Sequence, residues 1–221
     1  MVMNKQKGNM YGFVTHTWNP IRGKCPHDCS YCYMKVFKNI GELRLDDKAL
    51  KDDLGSGNFI FVGSSTDMFA KDVPYEWIKK VLDYCKKFDN KYLFQSKNPE
   101  RFLEFVFPHN IILGTTVETN SVAEEWYDNI SKAPNTAWRL SAMGKLPKEI
   151  KKMISIEPIM DFGDLMVDWI RDVEPEFVSI GADSKNHKLP EPSKEKINAL
   201  IEKLKTFTEV KIKDNLRRLT G

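Results

Sequence analysis

The strongest constraint on this chain is the regular alternation of short β-rich runs with helix-like stretches. The β-rich runs are Gly12–Thr17, Phe59–Gly63, Tyr92–Ser96, Ile111–Val117, Met153–Glu157 and Phe177–Ile180, with a seventh candidate at Val210–Lys213. Runs this short and this apolar read as strands covered on both faces of a parallel sheet. Between them, Pro74 leads into Glu76–Phe88, where Trp77, Val81, Cys85 and Phe88 recur at helical spacing and place Cys85 on a buried face. Asn98 and Pro99 open a further helix, and Asn120 and Ser121 cap one over Val122–Asn129. Asp161–Arg171 and Ser193–Thr206 follow the last two strong strands. Such an order belongs to an α/β barrel or to a doubly wound sheet, and the pattern leaves both open.

At 221 residues the chain fits a single domain over 1–221 with room for a substantial core. Hydrophobic residues at 41% and charged residues at 29% match a soluble globular protein. No apolar run is long enough to cross a bilayer, and the polar start Met1–Gly8 does not resemble a leader, so a cytoplasmic protein with no membrane partner is expected. A net charge of +3 does not announce a nucleic-acid binder. The tail is more basic: Lys194 to Gly221 holds eight Lys or Arg against four Asp or Glu, with Lys211, Lys213, Arg217 and Arg218 at its end. These cations make either a solvated face or a site for an anionic substrate such as a nucleotide or a phosphate backbone.

The chemistry sits in Cys25-Pro26-His27-Asp28-Cys29-Ser30-Tyr31-Cys32, which holds three of the four cysteines at C-x3-C-x2-C spacing. A four-iron cube normally takes four thiolates. The remaining cysteine, Cys85, has no ligand-like neighbours, so three ligands would leave one iron open. A zinc site with His27 as fourth ligand is the competing reading, and it makes the chain a non-enzymatic zinc-stabilised binding module. A disulfide has no support in a reducing compartment.

The cysteine run resembles the signature of the radical S-adenosylmethionine superfamily, in which three cysteines hold a 4Fe–4S cluster. The preceding Thr15-His16-Thr17-Trp18-Asn19-Pro20 is similar to a short phage and prokaryote group with a T-W-N-P segment before its cysteines. The resemblance implies that Cys25, Cys29 and Cys32 bind the cluster and that S-adenosylmethionine chelates its open iron. It further implies reductive cleavage of S-adenosylmethionine to a 5′-deoxyadenosyl radical, which abstracts hydrogen from a substrate. An electron donor such as flavodoxin or ferredoxin is then a partner. The implied fold is a partial (βα)6 TIM-like barrel, with the cluster loop Asn19–Tyr33 after the first strand. Six strong strands in this length agree with that, since a complete eight-unit barrel needs about 250 residues.

Functional residues of such a fold gather at the carboxyl ends of the strands. Gly63-Ser64-Ser65 after the second strand is similar to the turn that meets the cofactor's amino group. Lys97, ending the third, is a candidate for a carboxylate or a substrate anion. Alternation puts Thr116 and Glu118 on one face of the fourth strand, and Ser155 and Glu157 on one face of the fifth. A carboxylate in such a strand is costly unless paired. Gly181 after the sixth strand permits close approach by adenine, and Tyr31 is the aromatic residue the superfamily sets against it. Trp18 and Tyr33 are expected to shield the cluster. Cys85 alone cannot supply a second cluster. The open side of a partial barrel suits a large substrate, with a nucleotide or nucleic acid favoured by the basic tail.

Overall fold

The computed structural model describes residues 3–6 and 10–221, so half of the polar start Met1–Gly8 lies outside the described residues. Its strands are β1 (Asn4–Lys5), β2 (His16–Trp18), β3 (Ile21–Arg22), β4 (Arg44–Leu45), β5 (Phe59–Val62), β6 (Lys91–Gln95), β7 (Ile111–Thr116), β8 (Lys151–Ile156), β9 (Phe177–Ile180) and β10 (Glu209–Ile212). Among the described residues one sheet runs β1-β2-β5-β6-β7-β8-β9-β10, and β3 pairs β4 apart from it. From β2 to β10 every pairing in the large sheet is parallel, while β1 joins β2 antiparallel. The molecule is therefore a mixed α/β protein with a mostly parallel central sheet. The seventh candidate strand forms as β10.

Period-two alternation divides the core in two. Ile60, Val62, Tyr92, Phe94, Leu113, Ile154 and Val178 point outward, where α1 (Tyr75–Cys85), α2 (Thr136–Gly144), α3 (Met166–Arg171) and α4 (Lys194–Lys205) cover them. A last turn, α5 (Arg217–Thr220), ends the chain. The intervening Phe61, Leu93, Ile112, Met153 and Phe177 form a smaller cluster on the other face with Tyr11 and Val14. The Phe13 ring lies 5.5 Å from Phe59 on β5 and 5.0 Å from Phe177 on β9. Those strands are four spacings apart, about 19 Å in a flat sheet. One ring reaches both, so the sheet is strongly curved around this cluster.

Several local expectations change. The strand expected over Gly12–Thr17 forms only at His16–Trp18, because Tyr11 and Phe13 turn inward to floor the curved sheet. The helix expected over Val122–Asn129 is a single 3-10 turn, Tyr127–Asn129, since no residue from Val122 to Asn129 is buried and no apolar stripe anchors a longer one. The segment opened by Pro99 is likewise 3-10, over Pro99–Glu104. Asp161–Leu165 stays outside α3. The helix α2 was not anticipated. It begins where the Asn135 side chain accepts from the Trp138 amide, and it carries Arg139 into the core. α1 buries Cys85 as its spacing requires, and α4 starts at Ser193, whose side chain caps Lys196.

Candidate functional site

The cysteine loop leaves β2 through a segment pinned to the next strand's turn. Asn19 Oδ1 accepts from Ser64 Oγ at 3.2 Å and from the Ser65 amide at 2.9 Å. Gly23 then passes against the backbone of Glu42 with φ +109°; a Cβ there would stand 2.1 Å from the Glu42 carbonyl oxygen. Tight turns follow, with the Asp28 amide bonded to the Cys25 carbonyl (3.2 Å) and the Cys32 amide to the Cys29 carbonyl (3.1 Å). Asp28 takes φ 45°, which an aspartate tolerates. A second segment holds the loop from outside, as the Ser30 amide donates to Ile130 and the Lys132 amide to His27, both at 2.8 Å.

The three cysteines line one cavity of about 510 Å³ at the carboxyl edge of the sheet. None forms a disulfide. Burial, then the Asp67 carboxylate, pushes the Cys25 thiol up to about 12, and burial raises Cys32 as well. Ligation by these thiols therefore releases protons. The fourth cysteine is buried in α1 and takes no part. His27 is committed elsewhere, with Nε2 2.8 Å from Asp67 Oδ2. Asp67 also accepts from Ser96 Oγ at 3.0 Å and the Lys97 amide at 2.7 Å. Among the described residues no three His, Cys, Asp or Glu side chains gather on one ion. A cube meets each thiolate on a different iron, so its ligands need not gather. The donor set of three unpaired thiols on one loop fits such a group.

The structure brings Tyr31, Gly63, Ser64, Ser65, Lys97, Thr116, Ser155 and Glu157 to the same cavity. Gly63 has φ +79°, which turns the chain sharply after β5. Glu118 and Gly181 stand behind the lining. Glu118 is 1% exposed, with Arg139 Nη1 at 2.8 Å, Lys97 Nζ at 3.0 Å and the Tyr31 hydroxyl all donating to it. Burial alone would raise its carboxyl; Arg139 and Lys97 overcome that and hold it at about 2. Gly181 leaves the space that Glu157 and Asn215 occupy, since a Cβ would lie 3.0 Å from Glu157 Oε1 and 3.0 Å from Asn215 Oδ1. Trp18 does not reach the cavity: it stacks on Tyr84 in the outer core with centroids 5.6 Å apart, while Tyr33 does line it.

Three features of this wall, the Tyr11 floor, the pairing of the tail cation Lys213 with Glu157 and the Asp183–His187 dyad, join residues whose partnership the sequence does not reveal. Tyr11, on the floor, donates to Gln95 Oε1 (2.9 Å) and can accept from the Ser155 hydroxyl 2.8 Å away, and Gln95 Nε2 donates to Thr116 Oγ1 (3.0 Å). Lys213 enters the cavity and pairs with Glu157 at 2.7 Å. Burial raises the Glu157 carboxyl, and Lys213 opposes that rise. Asp183 fixes His187 through Nδ1 at 2.6 Å, leaving Nε2 as the ring nitrogen available in the cavity. Burial would raise Asp183, but its bonds from His187 hold it low. The signal for this dyad is the D-x3-H spacing just after a strand. The other tail cations are not free, since Lys211 pairs with Glu209, Arg217 with Asp214 and Arg218 with Glu191.

Fold and site together define a mixed α/β protein whose parallel sheet carries a cysteine-lined cavity at its carboxyl edge. The chain belongs to the family described as "Protein of unknown function (DUF5131)", which matches residues 10–188. No curated protein matches it. It is similar in fold to solved structures of spore photoproduct lyase. One is a variant with bound AdoMet and dinucleoside spore photoproduct, at TM-score 0.68 and 12% identity, covering 94% of this chain and 78% of that one. Another, a variant with dinucleoside spore photoproduct, gives 0.66 at 12% with the same coverage of 94% and 78%. The lyase complexed with dinucleoside spore photoproduct gives 0.64 at 11%, again covering 94% and 78%. No helix among the described residues is long and apolar enough to cross a membrane.

Proposed function

We propose that this protein is a radical S-adenosylmethionine enzyme forming one domain over 1–221, and that its curved sheet is a partial (βα)6 TIM-like barrel. The observation that carries this reading is the placement of three unpaired thiols on one loop at the mouth of one cavity. Support comes from the fold likeness to a protein that holds AdoMet, which is S-adenosylmethionine. Cys25, Cys29 and Cys32 would hold a 4Fe–4S cluster. When bound, the cluster and AdoMet supply reductive cleavage of the sulfonium and a radical able to abstract hydrogen. The chain's own residues bind and orient. Gly63, Ser64 and Ser65 give a small, tightly turned wall beside the cysteines, and Thr116 and Ser155 present hydroxyls from the inner strand face. Lys97 is steadied between Glu118 and Tyr31, so its ammonium is already directed when an anionic group arrives. Glu157 and Lys213 close the far wall, and Gly181 makes room for them.

Placement in the short phage and prokaryote group rests on the T-W-N-P segment of the sequence alone, whose Asn19 ties the cluster loop to the Ser64-Ser65 turn. A nucleotide or nucleic acid remains the favoured substrate class. The ground for it moves from the paired tail cations to the dinucleoside ligand of the fold neighbours. The test is anaerobic reconstitution with iron and sulfide, then incubation with AdoMet and dithionite. Formation of 5′-deoxyadenosine by the wild type, and its absence after Cys29→Ala, is expected. A colourless protein that takes up one zinc and leaves AdoMet intact would favour the zinc-stabilised binding module instead.

A further inference from the structure

Between β7 and α2 the chain makes an excursion that the packing of the core does not explain. Thr136 Oγ1 donates to the Thr119 carbonyl at 2.6 Å, which closes residues 119–136 into a loop, and no residue from Val122 to Asn129 is buried. What this loop grips is the cysteine segment. The Ser30 amide donates to Ile130 and the Lys132 amide to His27, so Ser131 is held between two backbone bonds. Its Oγ lies 3.1 Å from Cys29 Sγ and 3.2 Å from the His27 carbonyl oxygen, and the Ala133 amide donates to it at 3.2 Å. The other two sulfurs are served by backbone: Cys25 by the amides of His27 and Asp67, and Cys32 by that of Met34. Among the described residues Cys29 alone of the three has a side-chain hydroxyl against its sulfur. It is also the buried one, at 7% exposure, while Cys25 and Cys32 are half-buried, so water reaches its sulfur least.

We propose that the Ser131 hydroxyl donates to the Cys29 thiolate and raises the reduction potential of the cluster, which makes Ser131 a positioning residue for electron uptake. The inference rests on the function proposed above, in which Cys29 ligates iron as a thiolate. A thiolate has no proton to give, so the direction of the bond is then fixed. The His27 carbonyl competes for the same proton, but it already receives the Lys132 amide. A bond to a charged acceptor is also about twice as strong as one to a neutral acceptor. The Ala133 amide occupies one lone pair of Ser131 Oγ, which leaves the O–H to turn toward the sulfur. Hydrogen bonds to the sulfurs are among the levers that set a cluster's potential. An added electron puts more negative charge on those sulfurs, so the donor stabilises the reduced form more than the oxidised one. The potential therefore rises when the bond is present and falls when it is removed.

The experiment is a potentiometric titration of the full chain, reconstituted anaerobically and free of AdoMet, read by electron paramagnetic resonance of the reduced cluster. Ser131→Ala is expected to keep its iron and to shift the one-electron equilibrium about three- to tenfold toward the oxidised form, a fall in midpoint of about 30–60 mV. Ser131→Thr keeps the hydroxyl and should hold the wild-type midpoint. Ser131→Val has nearly the shape of the threonine variant without the hydroxyl, and its midpoint should fall as in Ser131→Ala. That pair separates the hydrogen bond from any loosening of the loop. In resonance Raman spectra the Fe–S stretching bands should move up in the alanine and valine variants alone, because the Cys29 sulfur no longer shares its electrons with a donor. A midpoint unchanged in Ser131→Ala and Ser131→Val, or lowered equally in Ser131→Thr, would overturn the proposal. A wild type that takes up no iron–sulfur cluster would overturn the proposed function as well, and the iron content of the wild type tells the two failures apart.

Discussion

Replacing Arg139 by Leu tests how the cavity's charged wall is held. Arg139 is 2% exposed, and its Nη1 lies 2.8 Å from Glu118 Oε2 and 2.9 Å from the Thr116 carbonyl. Removing one partner of a buried pair strands the other and costs about 3–5 kcal/mol. The carboxyl itself gives a second figure. Held at about 2 in place of 4.5, it contributes about 3 kcal/mol at neutral pH. Lys97 remains 3.0 Å from the same carboxylate and offsets part of the loss, so the lower end, about 3 kcal/mol, is expected. The sign follows from the lowered carboxyl. Its stabilisation is complete above the unfolded value near 4.5 and fades as pH falls toward about 2. Urea unfolding of wild type and Arg139→Leu should therefore differ most at neutral pH, and the gap should narrow below about pH 4. Adding Glu118→Gln to the variant removes the stranded charge and should recover about 1 kcal/mol or more. A loss under about 1 kcal/mol, or a gap that widens in acid, would refute this reasoning.

Gly23→Ala forces a side chain into the Glu42 carbonyl and should misplace the loop before Cys25; iron retained after reconstitution should drop to a small fraction of wild type. Gly114→Ala sets a Cβ 2.8 Å from Met153 Cγ inside the curved sheet, and calorimetry should report a loss of about 1–3 kcal/mol. Lys213→Met leaves Glu157 unpaired on a buried wall, so its raised carboxyl rises further. Stability of that variant is then full in acid and falls as pH climbs above about 4.5, which infrared detection of a protonated carboxyl can follow.

The order of strands was legible because each parallel strand is a short apolar run, and period two sorted its residues onto faces. Ser155 and Thr116 reach the cavity for that reason. What escaped was whatever depends on residues distant in sequence. Tyr11 and Phe13 sit in a run that looks like a strand, and only closure against Phe59 and Phe177 reveals them as a floor. Arg139 is a charged residue on a short helix, and its burial follows from meeting Glu118. Lys213 looked like one more surface cation, yet its partner Glu157 lies two strands away across the sheet, with β9 between them.

The most direct measurement is Mössbauer spectroscopy of protein reconstituted anaerobically with iron-57, before and after addition of AdoMet. The expected result is a four-iron cluster in which one iron changes its spectrum when AdoMet binds, and which Cys25→Ala, Cys29→Ala and Cys32→Ala each abolish. A spectrum unaltered by AdoMet, or a protein that retains its iron after losing one of those cysteines, would contradict it.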